Sequence, residues 1–65
     1  MIVKKVLNNY QLGSYPYNVL SNNIILQERL NDKHTLVKWE VNNSELQLLK
    51  KVFNYLYDED GKLIK

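Results

Sequence analysis

From Met1 to Leu7 the chain alternates around Lys4 and Lys5, with Ile2 and Val6 on one side and Val3 and Leu7 on the other. That period of two predicts a half-buried strand. Asn8-Asn9 reads as a turn and Tyr10–Leu12 as a short partner strand, before Gly13-Ser14 opens a loop that runs into Tyr15-Pro16-Tyr17. Pro16 drives Tyr15 to extended geometry, which bars a helix through this point. Residues 17–20 read as strand or irregular chain.

Ser21-Asn22-Asn23 is a turn cluster. Ile24–Leu30 follows as a strand in which Leu26, Glu28 and Leu30 alternate with Gln27 and Arg29. Beyond Asn31-Asp32-Lys33 comes the clearest alternation in the chain, with Thr35, Val37, Trp39 and Val41 facing one way and His34, Leu36, Lys38 and Glu40 the other. The two segments predict a β-hairpin.

Ser44 with Gln47 three residues later makes a capping-box pattern, and Glu45 suits the positive end of a helix dipole. A helix from Glu45 to about Tyr57 is therefore predicted. It places Leu46, Leu49, Val52, Phe53, Leu56 and Tyr57 on one arc and Gln47, Lys50, Lys51, Asn54 and Asp58 on the opposite one. A competing pattern pairs Tyr55–Tyr57 with Lys62–Ile64 as a hairpin around residues 58–61; the capped helical periodicity is longer and is preferred. The expected fold is α+β: one domain over residues 1–65, with a small antiparallel sheet of three or four strands and one C-terminal helix packed on one face.

Size changes the picture. A chain of 65 residues buries only roughly 60% of the surface its unfolded form exposes, and its balance of apolar burial against ordering entropy comes out near zero. There are no cysteines, so disulfides and thiolate metal sites are excluded. Self-association or partner binding is the reinforcement left. Hydrophobic residues at 45% and charged residues at 25% are the balance of a folded protein. Apolar runs such as Ile24–Leu26 fall far short of the roughly 20 residues of a membrane span. The first nine residues lack the apolar stretch and small-residue cleavage site of a signal peptide, so a cytoplasmic location is expected. The net charge of +2 is spread along the chain, with only the pairs Lys4-Lys5 and Lys50-Lys51. Alanine is absent while Asn, Lys and Tyr abound, a bias of AT-rich codons that suggests a phage or mobile element of an AT-rich bacterium; a GC-rich gene would remove that idea.

Candidate chemistry is sparse. A single histidine, His34, cannot assemble a metal site. In Asp58-Glu59-Asp60-Gly61 the glycine falls sixth only if Leu56 is the first ligand, so the calcium-loop pattern fails. Ser14, Ser21, Ser44 and Thr35 have only that one histidine to serve as base, and Gly13 and Gly61 are too far apart for a phosphate loop. No enzyme activity, metal or cofactor is expected.

The tyrosines carry more. Tyr10 and Tyr15 suit an exposed aromatic platform around Pro16, and Tyr17 and Tyr57 suit the core edge. On the helical wheel Leu48 and Tyr55 share a shoulder that one sheet face does not cover. The expected function is a non-enzymatic protein-interaction or regulatory module that binds a protein or itself through Tyr15, Tyr17, Leu48 and Tyr55. The alternative is a nucleic-acid-binding module, with Lys5, Arg29 and Lys38 on a weakly basic sheet face contacting phosphates. Lys4-Lys5-Val6-Leu7-Asn8-Asn9 resembles the opening of bacterial co-antiterminator RNA-binding domains, which are dimeric all-β modules. The likeness covers six residues, and no function is carried over from it.

Overall fold

The structure, a computed structural model, describes residues 1–13, 18 and 20–64. It is an α+β fold in which one four-stranded antiparallel sheet carries a late helix on one side. The elements are β1 (Ile2–Asn8), α1 (Asn9–Leu12), a 3-10 turn (Ser21–Asn23), β2 (Ile24–Arg29), β3 (His34–Glu40), α2 (Asn43–Val52) and β4 (Tyr57–Asp58). The strand order is β2-β3-β1-β4.

β1 and β3 form the centre, with Val3 opposite Trp39, Lys5 opposite Val37 and Leu7 opposite Thr35. Their alternation makes one face predominantly apolar, with Thr35 buried in it and Lys5 beside Val37. Val3, Leu7, Val37 and Trp39 are completely buried there, joined by Leu46 and Leu49 of α2 and by Leu20, Val41, Phe53 and Leu56. The rings of Trp39 and Phe53 lie 6.1 Å apart, tilted by 35°, a separation within the range of favourable aromatic pairs.

Four expectations are corrected. First, Tyr10–Leu12 is no strand but part of the short helix α1, because the Asn8 side chain accepts from the Gln11 amide and the Gln11 side chain accepts from the Asn8 amide. Second, α2 begins at Asn43, capped by Asn42 rather than by Ser44. Asn42 Oδ1 accepts from the Glu45 amide at 2.9 Å and Glu45 Oε1 accepts from the Asn42 amide at 2.9 Å, a complete capping box.

Third, α2 stops at Val52, well before Tyr57. Phe53 adopts extended backbone while its amide still donates to the Leu49 carbonyl at 2.8 Å. Outside the helix its ring is buried against Trp39. The chain then makes the hairpin that the sequence offered as second choice. Tyr57 pairs with Leu63, the Asp58 amide donates to the Lys62 carbonyl, and the Ile64 amide donates to the Leu56 carbonyl. Gly61 closes the turn at a φ of 86°, a conformation that only glycine adopts without strain, and Asp58 Oδ1 accepts from the amides of Asp60 and Lys62.

Fourth, a β-bulge inverts the facing of β2. Ile24 lies opposite Trp39 and Leu26 opposite Lys38, so two steps on β2 meet one on β3. A one-residue slip sends every later side chain to the other face. Leu26 and Glu28 therefore share the face of Lys38, while Gln27 and Arg29 lie opposite Val37 and Thr35 on the helix side.

A candidate interaction face

Seen from the side away from α2, the register lays the side chains in rows across the strands. The central row runs Leu26, Lys38, Lys4, Tyr57, and the next runs Glu28, Leu36, Val6. His34 opposite Asn8 and Glu40 opposite Ile2 close the two ends. No described element covers this face. Val6 is 45% exposed, Leu26 40% and Tyr57 37%, and Leu36 is half-buried. Large apolar side chains thus stand in solvent on a strand surface built to pack, the condition that marks interaction sites when such side chains are contiguous.

The weakly basic face carries Lys38 and Leu36 as expected, but Val6, Leu26 and Tyr57 stand on it in place of Lys5 and Arg29. Sequence reasoning already placed Leu36 with Lys38 and Ile2 with Val6. The missing step was the pairing that brings Val6 directly opposite Leu36.

The face has relief as well as pattern. β4 covers β1 at Val3 and Lys4, and among the described residues no strand pairs with that edge of β1 beyond Lys4. A depression of about 280 Å³ opens there, lined by Lys4, Lys5, Val6, Leu36 and Tyr57. A second depression of about 340 Å³ lies beyond the hairpin, bordered by Lys50, Phe53, Tyr55, Leu56 and Leu63 among others.

The basic residues proposed for nucleic acid are not brought together. Only Lys38 faces the open side, and Lys4, directly opposite it, is its neighbour. Lys5 lies on the helix side, where its Nζ donates to the Tyr55 carbonyl and sits 5.9 Å from the centroid of the Phe53 ring. Burial lowers its pKa below the ordinary lysine value, and its stem covers apolar surface while the ammonium reaches a carbonyl. Arg29 wraps the β2–β3 turn, donating to the Asn31 and Asp32 carbonyls at 3.2 and 3.4 Å.

The protein-contact residues also separate. Tyr15 and Tyr17 lie outside the described residues. Leu48 is half-buried against the core. Tyr55 is 59% exposed but stands beyond the end of α2, so the helical shoulder joining it to Leu48 does not exist. Tyr55 instead belongs to the hairpin side, beside the second depression, and Tyr10 is 89% exposed on α1.

Among the described residues no cluster of three His, Asp or Glu side chains could hold a metal ion, and no described helix is long and apolar enough to cross a membrane. The chain matches no protein-family model, no curated protein and no solved structure.

Proposed function

We propose that this domain is a non-enzymatic protein-interaction module that binds through the open face of its sheet. The observation that carries the reading is the apolar group formed by Val6 directly opposite Leu36, with Leu26 and Tyr57 diagonal to that pair at the two ends of the Lys38-Lys4 row, and with no described element over it. An uncovered apolar surface on so small a body costs solubility without adding to the core, and a partner that covers it recovers the burial. Lys4 and Lys38 between Leu26 and Tyr57, with Glu28 and Glu40 on the same face, would set orientation more than affinity.

The test is photo-crosslinking in the producing cell, with a photoreactive residue placed at Val6 or at Leu26, and at Gln47 on α2 as the control. Adducts from the two sheet positions and none from Gln47 are expected; a silent sheet face overturns the reading.

A second reading, single-stranded nucleic acid on the same face, draws on Lys4 directly opposite Lys38 with Tyr57 alongside, a cationic pair beside a stacking ring. Glu28 and Glu40 on the same face oppose it. Titration with single-stranded and duplex oligonucleotides at two salt concentrations decides, and no binding at low salt ends it.

A further inference from the structure

We infer that the partner which best fits the open sheet face is a second copy of this chain, packed face to face about a two-fold axis, with Tyr57 of each copy seated in the other's depression. The inference rests on the reading of that face as a binding surface, and it follows from the register.

A two-fold interface pairs residue i with j and j with i. The axis is placed across the strands, midway between the row Leu26-Lys38-Lys4-Tyr57 and the row Glu28-Leu36-Val6. It then lays the stem of Lys4 over the partner's Val6 and the stem of Lys38 over the partner's Leu36. Tyr57 falls one row further along β1 than its own strand extends. That is the uncovered edge where the depression of about 280 Å³ lies, lined by Lys4, Lys5, Val6, Leu36 and Tyr57. Tyr57 and the hollow it borders are adjacent on one copy and exchange across the axis.

The charges agree with the same placement. The partner's Glu28 arrives over Leu26, one strand spacing from Lys38, so each Lys38 gains a carboxylate on the side away from the like-charged Lys4. A face with Lys4 and Lys38 on one row and Glu28 on the next complements its own reversed copy. A standard interface buries about 800 Å² per partner, roughly one-fifth of the 4467 Å² surface of this chain. Two aligned sheets packed in this way lie about 10 Å apart, the spacing at which their inner side chains interdigitate.

Analytical ultracentrifugation of the purified full chain tests the inference. A dimer whose fraction rises with concentration is expected. Val6→Lys and Tyr57→Ala should each weaken it at least tenfold with circular dichroism unchanged. Lys38→Glu should weaken it, and Lys38→Glu combined with Glu28→Lys should recover it. A wild-type monomer at every concentration overturns the inference, as does a dimer indifferent to both Val6→Lys and Tyr57→Ala. If the purified chain is monomeric while Val6 still crosslinks to a different protein in cells, the second copy is excluded and the binding face stands. If neither association nor crosslinking occurs, both fall.

Discussion

Glu45 shows how much one side chain can hold at the surface of a small domain. Its carboxylate accepts from the Asn42 amide at 2.9 Å and from the Asn23 side-chain amide at 2.8 Å, and Asn23 also donates to the Glu40 carbonyl at 2.9 Å. The 3-10 turn is thus tied through Asn23 both to the Glu45 carboxylate at the start of α2 and to the end of β3. The Asn42 backbone donor first, and the Asn23 amide second, hold the Glu45 pKa below its ordinary value near 4.5. A carboxylate with a lowered folded pKa adds stability above its unfolded value and loses that contribution as pH falls through the folded one. Thermal stability should therefore decline on acidification below about pH 4.5, and Glu45→Gln should flatten that acid limb when melting is followed by circular dichroism. The charge of Glu45 was legible as a helix-dipole partner, but its bond to Asn23 was not, because the two residues are far apart in sequence. Lys5 and Arg29 were likewise legible as cations, whereas their engagement with the Tyr55 carbonyl and with the β2–β3 turn depends on what folding brings near them.

Among the elements, the expected bounds of β1, β2 and β3 agree with the structure to within one residue, since their period of two lies in the sequence and a buried face enforces it, whereas β4 falls within the expected helix. The helix starts were misread for a local reason. Both α1 and α2 are capped by asparagine, with Gln11 and Glu45 closing the boxes, whereas serine drew the reading to Ser44. The pattern Asn-x-x-Glu at Asn42 carried the correct signal, since asparagine caps as well as serine does. Asn42→Ala should accordingly cost about 1 kcal/mol in chemical denaturation, while Ser44→Ala, at the second helical position, should cost less than half as much. Equal losses would restore Ser44 as the cap. The helix end had no such local mark. Neither glycine nor proline stands between Val52 and Leu56, and the helical periodicity continues past the point where the helix stops.

At the scale of the whole molecule, one apolar layer holds the fold. Leu49 is completely buried in it, and truncating a buried leucine costs about 2–5 kcal/mol. A core of this size rarely supplies more than about 3–5 kcal/mol in all. Leu49→Ala should therefore leave most of the chain unfolded at 25 °C by circular dichroism, while Val6→Lys on the open face should leave the spectrum intact. A folded Leu49→Ala protein would mean that further burial, such as self-association, contributes a large share of the stability. The same thin margin makes a cover for the second sheet face valuable, and that face became visible only once β1 and β3 were seen to pair.

The sequence by itself determined the fold class, the three longer strands β1, β2 and β3 and the division of β1 and β3 into two sides, because these follow from local periodicity and from the demand that apolar side chains leave water. Tertiary structure alone decided where α2 ends, which way β2 faces and which side chains share the open surface. Each of those turns on contacts between distant residues: Phe53 with Trp39, the bulge of β2 against β3, and the register of β1 on β3.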